Sequence, residues 1–226
     1  TRVRSSAASD VYKRQFLFLI ILKFIPCCLI SETKLVKSFK FLISKSKIKL
    51  KKSSFLSSGL RSEQYLQCAK LLMHPKQSEL ICKSLAQKIK KVFKKIDLVV
   101  APAMGGIIVG YEVARHLKVP SIFAERVSGE FQLRRGFEIK AGAKVLIVED
   151  VITTGKSSME CAKVIKKHKG NVIGFACIVD RSNNQSSINS KIVSQITFDI
   201  PTYREDEIPD KLKSIPAIKP GSRNLV

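Results

Sequence analysis

The stretch VLIVEDVITTGKSS, residues 145–158, reads in order as four apolar residues, two acids, a hydroxyl-rich turn around Gly155 and the start of a helix. Four consecutive apolar residues suit a strand buried on both faces, as in a parallel sheet. A strand that runs straight into a helix is half of a βαβ unit. The GKSS ending invites comparison with the triphosphate-binding pattern Gly-x-x-x-x-Gly-Lys-Ser/Thr. That pattern needs a glycine where this chain has Asp150, and a carboxylate there would repel a triphosphate. The acids suit a different ligand. Glu149 and Asp150 at a strand end can accept hydrogen bonds from vicinal hydroxyls, as on a ribose. The turn after them enters a helix N-terminus, whose free N–H groups and dipole favour an anion. Thr153, Thr154, Ser157 and Ser158 add hydroxyl donors, and Gly155 permits close backbone approach. Together these features describe a site for a ribose that carries a 5-phosphate.

Outward from this stretch, strands and helices alternate. Residues 57–75 open on a Ser/Gly turn and read as a strand, and 77–96 carry a helical stripe of Leu80, Ile81, Leu85, Ile89, Val92 and Ile96. Residues 97–103 form an apolar strand, and 105–118 a helix with Ile107, Tyr111, Ala114 and Leu117 on one face. Strands are expected at 120–126, 137–139, 144–150, 171–181 and 191–200, and a helix at 157–170 that stops at Gly170. Segment 127–136 reads as a loop with hairpin character, and the Pro-rich end after 200 as irregular. The pattern predicts an α/β fold with a central parallel sheet flanked by helices, and its ligand at the carboxyl ends of the strands.

The chain has 226 residues and a formal charge of +23, and residues 1–60 hold 13 Lys and Arg against 2 acids. Such a charge attracts nucleic acid or small anions. The lysines are dispersed, however, and no aromatic residues interleave with them, so no nucleic-acid partner is expected. The six cysteines include no Cys-x-x-Cys pair and none lies within five residues of His74, His116 or His168, which argues against a zinc framework and points to reduced thiols in a cytoplasm. Residues 16–30 are apolar, but Lys23 and Pro26 interrupt them, and a membrane span needs roughly 20 residues. No membrane partner is expected. Residues 1–30 are read as a non-native or disordered leader, because TRVRSSAASDVYKRQ resembles translated adapter sequence. Residues 31–53 suggest one amphipathic helix carrying Leu35, Phe39 and Leu42.

VLIVEDVITTGKSS resembles the phosphoribosyl-diphosphate (PRPP) motif of type I phosphoribosyltransferases. SSGLRSEQYLQCA (57–69), DLVVAPAMGGIIVGYEVAR (97–115), IFAERVSGEFQLRRGFEI (122–139), CIVDRS (177–182) and IPAIKPGSR (215–223) are similar, in order and spacing, to the orotate phosphoribosyltransferase branch. The resemblance implies a type I phosphoribosyltransferase fold with a small hood built from both ends of the chain. Its parts would be a hood segment at 31–76, a core at 77–200 and a tail at 201–226 that completes the hood. It implies transfer of ribose 5-phosphate from PRPP to orotate, with Mg2+ carried by PRPP rather than bound directly by the protein, and a homodimer with shared active sites. A base-salvage phosphoribosyltransferase and a PRPP-sensing nucleic-acid-binding regulator are the alternatives.

Carried over residue by residue, Glu149 and Asp150 would meet the ribose hydroxyls, and PRPP would lie along Val151, Ile152, Thr153, Thr154, Gly155, Lys156, Ser157 and Ser158. Ala103, Met104, Gly105 and Gly106 match the pyrophosphate loop, although many relatives have lysine at Gly105. Arg126, Arg134 and Arg135 are the cations available to the catalytic loop, which here lacks the usual lysine. Thr153, Arg181, Ser58 and Gly59 would meet orotate, with Ser57 where the family has a lysine.

Overall fold

The computed structural model describes residues 47–55, 61–213 and 217–218. Five of the expected apolar strands, joined by one from the hairpin segment, form a six-stranded sheet. Its members are β3 (Leu98–Pro102), β4 (Ser121–Val127), β5 (Glu130–Leu133), β6 (Lys144–Ile152), β7 (Asn171–Asp180) and β8 (Ile192–Thr197), in the order β5-β4-β3-β6-β7-β8. Every neighbouring pair is parallel except β4 and β5. All five residues of β3 are buried, as a strand covered on both faces requires. The covering helices are α2 (Pro75–Val92), α3 (Gly106–Leu117) and α4 (Lys156–Lys167), preceded by a single turn, α1 (Ala69–Leu72). Helix α2 buries Ile81, Leu85 and Ile89 at successive i, i+4 positions. Lys88 on the same helix donates to the Ser194 and Gln195 carbonyls at 3.2 and 2.9 Å, tying α2 to β8.

A second sheet joins the two ends of the described chain. It runs β10 (Ala217–Ile218), β1 (Lys47–Phe55), β2 (Arg61–Leu66), β9 (Thr202–Tyr203). Between β9 and β10 lie a 3-10 turn at Glu205–Glu207 and α5 (Asp210–Lys213). No helix among the described residues is long and apolar enough to cross a membrane.

The structure corrects several expected elements. The helix expected over 31–53 gives way to strand β1 from Lys47, and its earlier residues, with the leader 1–30, lie outside the described residues. Residues 69–72 form a helix turn rather than extending a strand. Helix α2 ends at Val92, short of Ile96, and the ring of Phe93 lies over Gly174, where a β-carbon would fall 2.3 Å from it. In α3 the buried face is Val109, Gly110, Val113 and Ala114, whereas Tyr111 is exposed. The reason is at Gly110, where an added β-carbon would fall 2.7 Å from Ala101 Cβ, so helix and strand backbones meet there. No strand forms at 137–139: Phe137 instead stacks edge-on against Phe123 at 5.1 Å, and Ile139 is buried. Strand β6 continues through Val151 and Ile152, which the sequence pattern places in the turn. Helix α4 ends at Lys167, with His168 as its C-cap. Its left-handed residue is Lys169, with φ of 61°, while Gly170 provides close approach to Ile165. Segment 127–136 does contain a hairpin. Ser128 and Gly129, with φ of 50° and 91°, form the two-residue turn joining β4 to β5.

Candidate active site

The carboxyl end of β6 carries both acids. Successive side chains on a strand point to opposite faces, so Glu149 and Asp150 look different ways. Glu149 is buried beside Ser158 and Cys161 of α4, and its pKa is raised to about 8. Burial is the main cause and the Asp150 charge adds to it, while Ser158 and Arg126 pull the other way. The Ser158 hydroxyl is itself fully buried and stands outside hydrogen-bond geometry with any partner. Asp150 faces the other way, toward Gly105. A β-carbon at Gly105 would lie 2.9 Å from Asp150 Oδ2, so the loop backbone passes close to the carboxylate. Burial raises the Asp150 pKa, and the Val151 N–H, donating to Oδ1 at 2.9 Å, opposes that rise.

After β6 the chain turns through Thr153 and Thr154 into α4. Gly155 sits at φ 77°, and a β-carbon on it would fall 2.7 Å from Ile188 Cγ1. Both its left-handed conformation and its close packing demand glycine. The Thr154 carbonyl accepts from the Ser187 N–H and hydroxyl at 2.8 and 3.0 Å, which fixes the turn from outside. Gly155 at the N-cap of α4 has no side chain to cap the helix, and the Lys156 N–H donates to the Thr154 hydroxyl at 3.4 Å, which leaves the amides of the following residues for an anion. Ser157 is half-buried beside them, and Lys156 is exposed.

The loop from Ala103 to Gly106 leads from β3 into α3. Met104 is exposed, and Gly106 is buried against the Val148 carbonyl, 3.1 Å from where its β-carbon would be. This loop and the α4 turn flank the tip of β6, since β3 and β6 are adjacent and parallel.

The three arginines at the hairpin stand in different situations. Arg126 is committed: it pairs with Glu160 of α4, donates to the Gly129 carbonyl at 2.6 Å and lies 4.0 Å over the Phe131 ring. Arg135, with φ of 62°, pairs with Glu125 at 2.8 Å. That pairing holds the Glu125 carboxyl below its usual range. Arg134 is exposed and makes no hydrogen bond or ion pair among the described residues. Of the three hairpin arginines it is the one with neither bond, although its charge, like that of Arg135, helps to lower the Glu125 pKa. Glu160 is a site residue that the sequence pattern did not single out. Its signal was available, because it sits one helical turn beyond the phosphate turn.

Arg181 follows β7 directly. Its backbone N–H donates to the Ile152 carbonyl at 2.9 Å, which holds it against the end of β6. It is only 3% exposed, and Nη2 donates to the Ser62 hydroxyl at 3.1 Å. Nε has no partner, and no acid among the described residues pairs with it. Asp180, its neighbour in sequence, accepts instead from the Ser182 N–H at 2.9 Å. Burial lowers the Arg181 pKa to about 10. A buried guanidinium without a counter-charge is costly unless a ligand supplies one. Ser58 and Gly59 lie outside the described residues.

A family model for the phosphoribosyl transferase domain matches residues 70–203. Among curated proteins, the chain is 50% identical over 171 residues to an orotate phosphoribosyltransferase of Methylorubrum extorquens, covering 75% of this chain and 87% of that protein. It is 44% identical over 195 residues to one from Parvibaculum lavamentivorans, covering 86% and 98%. Among solved structures, orotate phosphoribosyltransferase from Aeropyrum pernix aligns with a TM-score of 0.58 at 23% identity, over 72% of this chain and 93% of that one. The last of these likenesses speaks to the fold, and the first three to the family.

Proposed function

Because this chain belongs to the orotate phosphoribosyltransferase family, we propose that it transfers the 5-phosphoribosyl group of PRPP to N1 of orotate, giving orotidine 5-monophosphate and pyrophosphate for UMP biosynthesis. The chain is a pentosyltransferase with the type I phosphoribosyltransferase fold. The observation that carries the choice of base is Arg181, a buried guanidinium with Nε unmatched at the end of β7. A planar carboxylate suits a guanidinium fork. Orotate has one, whereas uracil, adenine and hypoxanthine do not.

In this reading the bond from ribose C1 to the diphosphate oxygen breaks and a bond from C1 to orotate N1 forms, with loss of the N1 proton. Negative charge grows on the leaving pyrophosphate, and a cation positioned there lowers the barrier. Arg134 is best placed for this role, since Arg126 and Arg135 already neutralise Glu160 and Glu125. Glu149 and Asp150 hold the ribose hydroxyls. A neutral Glu149, favoured by its pKa of about 8, can both donate to and accept from a hydroxyl. The amides from Thr153 to Ser158 hold the 5-phosphate, the Ala103–Gly106 backbone lies along the pyrophosphate, and Thr153 borders the base. Mg2+ is commonly held with substrate phosphates, and here it would be carried by the diphosphate of PRPP, leaving the β6 acids to the ribose hydroxyls. No three His, Cys, Asp or Glu side chains among the described residues gather to hold a metal by themselves. Bound with PRPP, Mg2+ would neutralise phosphate charge.

The division into hood and core is supported by the small sheet, whose strands come from residues 47–66 and 202–218. A homodimer is supported by Met104, Ile108 and Tyr111, all exposed at helical spacing around the start of α3. A reducing cytoplasm is supported by Cys68, Cys82, Cys161 and Cys177, all buried and free. The test is a substrate panel. The protein is incubated with PRPP, Mg2+ and, in turn, orotate, uracil, adenine and hypoxanthine. Consumption of orotate alone is expected, and consumption of another base without orotate would overturn the reading.

A further inference from the structure

The base-facing Arg181 is held by a residue from the small sheet, not from its own. We propose that Ser62 is the positioning residue that aims Arg181 at the carboxylate of the base, so that recognition of an acidic base depends on the small sheet being assembled. The inference deepens the orotate reading of the site and rests on it.

A hydroxyl has one proton and two lone pairs. Ser62 gives its proton to the Pro201 carbonyl at 3.1 Å, just before β9. Its oxygen therefore faces Arg181 Nη2 as an acceptor, also at 3.1 Å. Ser62 is fully buried, so water cannot readily take over either bond. Its backbone is fixed from both sides, since it lies opposite Ser54 of β1 and Thr202 of β9. A guanidinium is planar and rigid, and anchoring one terminal nitrogen constrains the orientation of the rest. With Nη2 anchored and the Arg181 backbone tied to Ile152, the buried Nε is left as an unmatched donor. An alanine at 62 would leave both the Pro201 carbonyl and Nη2 without their partner, and free the guanidinium to rotate away from its ligand.

The test is steady-state kinetics on the full chain. Hydrogen bonds to charged groups change affinity by roughly ten- to a hundredfold. Ser62→Ala is therefore expected to raise KM for orotate by about that factor, while KM for PRPP and kcat stay within about twofold. Ser62→Thr, which keeps the hydroxyl, is expected to restore KM for orotate to within about threefold of wild type. A merely structural serine would shift both KM values together, and that outcome, or an unchanged orotate KM, would overturn the inference. If Ser62→Ala does not fold, Ser62→Cys keeps the volume and weakens both bonds. It carries the same prediction at a smaller size, about threefold on orotate alone, and an unaltered orotate KM there refutes the inference. A wild-type protein inactive on orotate overturns the reading of the site as well. An active wild type with an unaltered Ser62→Ala overturns this inference only.

Discussion

Replacing Glu149 by Gln should flatten the dependence of stability on pH in the ligand-free protein. In the fold this carboxyl titrates near pH 8, because it is buried and beside Asp150, against an ordinary value of 4.5. Between those two values the folded state holds a proton that the unfolded state has lost. Its contribution to stability is therefore fully present below pH 4.5 and is lost as pH rises through about 8. A tenfold change in an acid dissociation constant corresponds to about 1.4 kcal/mol. Over the interval from pH 6 to pH 8 the folded carboxyl goes from almost wholly protonated to half protonated, which removes about 2 kcal/mol of stability. Glutamine cannot titrate and keeps the neutral, hydrogen-bonding form. The assay is urea unfolding of both proteins at pH 6 and pH 8, without substrate. The wild type should lose about 2 kcal/mol more than Glu149→Gln over that interval. Parallel changes in the two proteins would refute the claim that burial keeps Glu149 neutral.

Gly155→Ala should cost about 1–2 kcal/mol of stability, from the positive φ and the clash with Ile188, and should raise KM for PRPP, as urea unfolding and kinetics would measure. Arg134→Ala should lower kcat by about a hundredfold or more, whereas Arg135→Ala, losing an exposed pair with Glu125, should change stability by less than about 1 kcal/mol and kcat little. Comparable losses of kcat in the two variants would contradict the assignment. Glu160→Gln should loosen the β4–β5 hairpin from α4, seen as faster amide exchange at Arg126–Leu133 with α2 unaffected.

The sheet was legible because its strands are apolar runs and its helices carry one-faced stripes. Residues 98–102 and 145–148 could hardly be anything but strands buried on both faces, whereas the continuation of β6 to Ile152 was not legible. The placement of the acid pair at a strand end and of the turn at a helix start was legible for the same reason, since residue type and order there mark the change from strand to helix. What escaped depended on tertiary packing. Tyr111 fits an apolar stripe by spacing, yet Gly110 is what meets Ala101, so the helix rolls and Tyr111 faces outward. Phe137 and Ile139 alternate like a strand, but they serve as packing points against Phe123 and the core. The partners of the arginines were invisible as well. Arg126 meets Glu160 at a separation of 34 residues, and Arg181 meets Ser62 at 119. Nothing in the local pattern around either arginine marks the other member of the pair.

Arg181→Ala, assayed with orotate and PRPP varied separately, tests the choice of base most directly. Arg181 is buried, is paired to no acid among the described residues and retains an unmatched Nε, so its charge is assigned to the carboxylate of the base. That assignment predicts a loss of kcat/KM for orotate of roughly a hundredfold or more, with KM for PRPP nearly unchanged. An Arg181→Ala protein that is folded and still uses orotate with wild-type KM would contradict it.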